Sequence, residues 1–269
     1  MTLLRGPRTK TLKEGAWRIT LIVSLAALSV FYCGMAPGGD LLAATRRREL
    51  PIYSVERKDK VLAISFDAAW GSAQTPALLD ILDEYGVKTT FFLVGIWVER
   101  YPELVKEMAA RGHEIGNHST THPQMSKISE AKIREELKIT SDRIEQLTGI
   151  RPTLFRPPYG DYDDKVVSVS RAEGYECVQW NVDSLDWKNR GAQDLIHQAT
   201  KSNKPGDIVL FHNDSQYIVE ALPSILRHYQ NAGFTILPVS EILLKGETEI
   251  DHTGRQYPTK QYLSEKQTQ

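Results

Sequence analysis

Six residues of this chain carry side chains suited to hydrolysis: Asp67, His118, His122, Arg156, Asp186 and His212. His118 and His122 stand four apart in N-H-S-T-T-H. Two imidazoles that close on one element can share a cation such as zinc, or they can be two unrelated surface or core histidines. Asp67, in S-F-D-A-A-W-G, can take a proton from water as a general base, or it can cap the turn that follows. Arg156 lies in F-R-P-P-Y-G, where two prolines and a glycine fix an irregular backbone. A rigid arginine can hold a catalytic carboxylate ionised and oriented, and a structural ion pair would use the same contact. Asp183 and Asp186 occur in W-N-V-D-S-L-D-W. A carboxylate beside a histidine raises its pKa and keeps it able to donate a proton. His212, in V-L-F-H-N-D, is then the candidate general acid for a leaving amine. Trp187 and Tyr159 offer flat apolar faces of the kind sugar rings pack on, or they belong to the core.

These residues share a position as well as a chemistry. Short β-rich runs lie at 61–66, 88–94, 175–180, 207–211 and 234–237, with weaker ones at 114–116 and 153–155. Helical patterns alternate with them at 75–85, 102–111, 129–148, 163–173, 192–201 and 218–232. Pro76 follows Thr75 at one helix start, Ser129 caps another, and Gly86, Gly112, Gly149, Gly174 and Gly233 follow helix ends. Strand–helix alternation sustained about seven times predicts an α/β fold with a parallel sheet, open or closed into a barrel. Asp67, His118, Arg156, Asn181, Asp183 and His212 each follow a predicted strand directly or within a few residues. In a parallel barrel those ends share one face, so residues far apart in the chain converge there.

The apolar content of 41% and charged content of 25% are those of an ordinary globular protein, and the net charge of −1 offers no excess for neutralising phosphates. Nucleic acid is therefore not an expected partner. Of the two cysteines, Cys33 sits in the apolar N-terminal run and leaves Cys177 without a partner in the folded region, so neither a disulfide framework nor a thiolate metal site is expected. Residues 1–18 form a basic flank with Arg5, Arg8, Lys10, Lys13 and Arg18. Residues 19–39 are uncharged and mostly apolar, and at 1.5 Å per residue such a helix just crosses a hydrocarbon core of about 30 Å. This predicts a single-pass anchor helix with the rest of the chain outside the cytoplasm, a cleaved signal peptide being the competing reading. Residues 40–60 read as a linker, 61–245 as the catalytic domain, and 246–269 as a polar, poorly ordered tail.

The segments F-D-A-A-W-G, H-S-T-T-H, R-P-P-Y-G, D-S-L-D-W and V-L-F-H resemble, in order, the five motifs of the polysaccharide deacetylase family, a carbohydrate esterase type, over roughly residues 56 to 245. P-I-Y-S-V, F-D-A-A-W-G, H-N-D and A-L-P-S-I-L look closest to its sporulation-associated subgroup. The resemblance implies a distorted parallel (β/α) barrel of about seven strands, a divalent metal, usually zinc, and hydrolysis of N-acetyl groups on an aminosugar polymer such as peptidoglycan or a chitin-like chain. It implies Asp67 as the base, His118 and His122 as metal ligands, and Arg156 as the residue orienting the base. It further implies the Tyr159 backbone N–H as the oxyanion contact, Asp186 as partner of the acid His212, and Leu210 and Trp187 as lining of the acetyl pocket. One position departs from the family pattern. The second aspartate of the first motif, the third metal ligand, is replaced here by Ala68, which has no donor atom.

Two rival readings follow from the same residues. A non-catalytic glycan-binding protein would keep the groove and lose the metal chemistry. A glycosidase would set two carboxylates across a bond, for which Asp67 with Asp183 or Asp186 could serve, and would leave the histidine pair idle.

Overall fold

The computed structural model describes residues 48–259. The basic flank 1–18, the anchor or signal segment 19–39 and most of the linker lie outside the described residues, as does 260–269. Among the described residues no helix is long and apolar enough to cross a membrane.

The central element is β2 (Val61–Ala68), buried at all eight positions, as expected of a parallel strand covered on both faces. Strands β3 (Thr90–Leu93), β4 (Glu114–Asn117), β5 (Leu154–Phe155) and β6 (Glu176–Cys177) extend the sheet on one side. On the other lie β8 (Ile208–His212) and β7 (Val182–Asp183), so the order is β6-β5-β4-β3-β2-β8-β7 with every pairing parallel. A short β9 (Thr235–Ile236) pairs with the start of β2. This is the curled parallel sheet of a distorted barrel, as the alternation of the sequence predicts.

Strand parity divides the molecule into two compartments. Leu62, Ile64, Phe66 and Ala68 face the covering helices, where Phe66 stacks between Phe91 (5.2 Å) and Phe211 (5.5 Å) of the two flanking strands. Val61 and Ala63 face the opposite, inner side, and Ser65 and Asp67 continue that inner row toward the open end of the sheet. Helices α1 (Thr75–Glu84), α2 (Gly95–Arg100), α3 (Pro102–Ala110), α4 (Glu130–Thr148), α5 (Asp164–Ala172), α6 (Ala192–Thr200) and α7 (Ile218–Asn231) connect or cover these strands. The Ser129 hydroxyl accepts from the Lys132 amide at the start of α4, and Gly149 ends it at φ 75°. A side chain there would be strained, which is why glycine stands at that stop.

Two boundaries differ from those expected. Residues 52–55 are not linker. Ile52 bonds to Cys177 and Gln179, and Val55 to Gly206, so this segment bridges from β6 to the start of β8 across the open edge. Nor is the whole of 246–269 a loose tail: β10 (Thr248–Ile250) and β11 (Arg255–Pro258) form an antiparallel hairpin, and β11 pairs with β1 (Ser54–Val55). Strands this short hold only as additions to an existing edge, so they leave no periodicity for sequence reasoning to find.

Candidate active site

The C-terminal ends of the strands surround a cavity of about 730 Å³ lined by Asp67, Trp70, His118, His122, Tyr159, Trp187, Leu210 and His212, among others. Arg156 and Asp186 stand immediately behind it, each bonded to a lining residue. All nine site residues expected from the sequence therefore meet in one place.

Asp67 ends the inner row of β2. One of its carboxylate oxygens accepts from Arg156 Nη1 at 2.8 Å, and the other lies 3.4 Å from His118 Nε2. Arg156 is fully buried inside the sheet. Its second terminal nitrogen donates to Ser65 Oγ (2.9 Å) and to the Gln179 carbonyl (3.1 Å), and its guanidinium lies 4.0 Å over the Phe92 ring. Burial pushes the Asp67 carboxyl up, but the charge and hydrogen bond of Arg156, with the charge of His212, outweigh it and hold the group below its ordinary pKa. Asp67 is thus a buried carboxylate kept ionised, with one oxygen tied down and one facing the cavity.

His118 bonds through Nδ1 to the Arg156 carbonyl at 2.7 Å. That contact assigns the proton to Nδ1 and leaves the Nε2 lone pair toward Asp67. His122 lies 5.0 Å from His118, ring centre to ring centre, and 4.4 Å from Tyr159. Burial lowers both imidazoles, His122 to about 4, so both are neutral and hold free lone pairs at neutral pH. The buried Nδ1 of His122 has no hydrogen-bond partner.

The loop between them is held in an unfavourable shape, with Ser119 at φ 67° and His122 at φ 59°. Glu136 of α4, itself 1% exposed, holds it there. Its carboxylate accepts from the Thr120 amide (2.8 Å), the Thr121 amide (2.7 Å) and the Thr121 hydroxyl (2.9 Å). Nothing at the sequence level singled out Glu136, which resembles any other acidic residue of an amphipathic helix.

On the adjacent strand β8, in register with Asp67, His212 Nδ1 lies 2.7 Å from Asp186 Oδ1, and the His212 amide donates to Asp186 Oδ2 at 2.7 Å. Burial opposes the charge on His212, yet the hydrogen bond and charge of Asp186 prevail and raise its pKa. The carboxylate of Asp183, also expected here, instead accepts from the Leu185 amide at 2.8 Å and shapes the turn into Asp186. Tyr159 adopts φ 60° in the P-P-Y-G segment, and its ring is 64% exposed at the rim. Leu210 is buried in the wall, and Trp187, also lining the cavity, is 56% exposed. Trp70 and Asn213 also line the cavity. Trp70 stands three residues after Asp67 and Asn213 directly after His212, and that closeness to strand ends was the available signal.

The donor set fits a divalent ion in part. His118 and His122 present neutral nitrogens, and the approach of an unprotonated Nε2 to a carboxylate oxygen at 3.4 Å favours a cation between them. Among the described residues, however, no three His, Cys, Asp or Glu side chains are grouped as a closed metal site. Ala68 is fully buried in the helix-packed core and does not line the cavity.

The model of the polysaccharide deacetylase family matches residues 54–178. A peptidoglycan-N-acetylglucosamine deacetylase of Bacillus cereus is 37% identical over 196 residues, covering 71% of this chain and 92% of that protein. Among solved structures, BA3943 from Bacillus anthracis, a CE4 family pseudoenzyme, is similar with a TM-score of 0.70 at 32% identity, over 72% of this chain and 69% of that one. A mutant of BA3943 with restored enzymatic activity has the same TM-score at 34% identity, over 72% and 71%.

Proposed function

Since the chain belongs to the polysaccharide deacetylase family, we propose that it is an N-deacetylase of a peptidoglycan-type aminosugar polymer. The observation that carries this reading is the pairing of two oppositely tuned groups in one cavity, Asp67 held ionised by Arg156 and His212 with its pKa raised by Asp186. Mere binding has no use for such a division.

In the proposed reaction, the cavity-facing oxygen of Asp67 takes a proton from water as that water attacks the acetyl carbonyl. The Tyr159 backbone N–H stabilises the oxygen of the tetrahedral intermediate. The C–N bond then breaks, His212 gives its proton to the amine, and acetate leaves. Leu210 and Trp187 enclose the acetyl methyl group. His118 and His122 would hold the divalent metal, zinc by the chemistry of its donors. When bound, such an ion polarises the carbonyl and lowers the pKa of water. The uncharged segment 19–39 behind a basic flank supports a site of action outside the cytoplasm, in spore or cell-envelope maturation, with the membrane as anchor.

A second reading has its own support. Among the described residues two metal-binding nitrogens are presented, and Ala68 supplies no third donor, which favours a glycan-binding protein without turnover. Acetate release from peptidoglycan or N-acetylglucosamine oligomers, with and without zinc or cobalt, separates the two. Metal-dependent release establishes the deacetylase. Measurable glycan affinity with no release under any metal establishes the binding protein, and new reducing ends would reveal a glycosidase.

A further inference from the structure

Trp70, Tyr159 and Trp187 are 64%, 64% and 56% exposed, yet all three line the same cavity. Exposed apolar side chains gathered at one groove mark a binding surface, whereas single ones elsewhere need no explanation. Trp70 takes no part in the acid–base pairs. Its ring packs against His122 at 5.6 Å and 71°, on the rim beside the histidine pair.

The loop that carries Trp70 is fixed from beneath. The carbonyl of Gly71 accepts from the indole N–H of buried Trp97 (2.8 Å) and from the side-chain amide of Asn213 (2.9 Å). Asp214 accepts from the Gln74 backbone amide at 3.0 Å and presses on Gly71, where a Cβ would come within 1.7 Å of its carboxylate. A side chain at this position would have to push the Asp214 carboxylate off its bond to the Gln74 amide. The backbone beside the indole is thus fixed before a ligand arrives, which lowers the ordering cost of stacking on it.

The size of the cavity indicates what it takes. A single N-acetylated sugar unit has about 14 non-hydrogen atoms and fills on the order of 400 Å³ even at a full water's volume of roughly 30 Å³ each. The cavity of about 730 Å³ leaves room for part of a neighbouring ring. We propose that Trp70 is a stacking platform for the sugar ring next to the one whose N-acetyl group is hydrolysed. The site then selects a run of linked N-acetylated aminosugars over a single unit. The identity of the polymer rests on the deacetylase reading; the stacking itself does not.

The test is calorimetric titration of the full-length protein in detergent with the N-acetylglucosamine hexamer and with the single sugar, using Trp70→Ala and Trp70→Phe. In Trp70→Ala the preference for hexamer over single sugar falls by about ten-fold or more, with an unchanged thermal midpoint. Trp70→Phe retains most of that preference and covers the case in which alanine disturbs the loop. Unchanged hexamer affinity in Trp70→Ala, an equal loss for hexamer and single sugar, or a wild type that binds no hexamer would each overturn the proposal. Parallel acetate measurements keep the two readings apart: a wild type that binds hexamer through Trp70 but releases no acetate refutes the deacetylase and leaves the platform in place.

Discussion

Arg156 and Asp67, 89 residues apart in the chain, meet in a buried ion pair of 2.8 Å. The pair joins β2 to the loop after β5, and the backbone of Arg156 simultaneously fixes the tautomer of His118. One residue thus sets the charge of the candidate base and the lone pair of a metal-ligand candidate.

Arg156→Met should be severely destabilising, because it strands a carboxylate that is 5% exposed. Breaking one side of a buried pair costs about 3–5 kcal/mol, whereas removing both charges costs less. The double substitution Arg156→Met with Asp67→Asn should therefore unfold in urea at a higher concentration than Arg156→Met alone. Equal midpoints would mean the pair is not what holds this wall together.

The basic limb of the pH–rate profile should belong to His212. Its pKa is raised in the folded protein, so the proton needed by the leaving amine is present below that pKa and lost as pH rises through it. Asp186→Asn removes the carboxylate that raises it. The basic limb should then move to lower pH by about one unit or more, alongside a reduced maximal rate. A limb that stays in place would remove His212 from the acid role.

Glu136 should matter to metal binding without touching the metal. Glu136→Ala leaves the buried Thr120 N–H unpaired, at about 1–3 kcal/mol, and releases the more exposed Thr121 N–H to solvent. Both stability and cobalt affinity should drop, and Glu136→Gln, which still has an acceptor oxygen, should recover part of each. Cobalt affinity that survives the alanine substitution would show that the loop holds its shape unaided.

Ala68→Asp should lower the thermal midpoint in metal-free buffer by roughly 10 °C, since it adds a carboxylate beside the apolar core. Added zinc should restore much of that loss if position 68 can supply the missing donor. A midpoint that ignores zinc would argue for the glycan-binding reading.

His113 offers a control remote from the chemistry. Burial, followed by the charge of Lys88, pushes its imidazole down to about 4 from an ordinary 6.5. The folded state thus refuses a proton that the unfolded state accepts. Its contribution is intact above about pH 6.5 and declines as pH falls toward 4, by roughly 3 kcal/mol at 1.36 kcal/mol per pH unit. His113→Gln should flatten the decline of stability with acid over that interval. An unaltered slope would assign the acid sensitivity to other groups.

The parallel sheet was legible because β2, β3 and β8 are long apolar runs between helices with clear stops, and the site was legible because its polar residues interrupt those runs at their ends. Glu136 was not, since its role depends on where a helix packs rather than on its own neighbours in sequence. The bridging segment 52–55 and the hairpin 248–258 were missed for a related reason. Their strands are stabilised by edges elsewhere in the fold, and nothing in their own composition announces pairing.

Read alone, the sequence established a parallel α/β fold, named the candidate acid, base and histidine pair, and showed the absence of a donor at Ala68. Those are properties of residue type and local pattern. Tertiary structure decided which carboxylate oxygen Arg156 holds, which nitrogen of His118 carries the proton, that the Asp183 carboxylate shapes the turn into Asp186, and that Trp70 stands on a clamped loop at the rim. It also turned Ala68 toward the helices. Each of these depends on strand parity and on contacts between distant segments, and no local pattern encodes either.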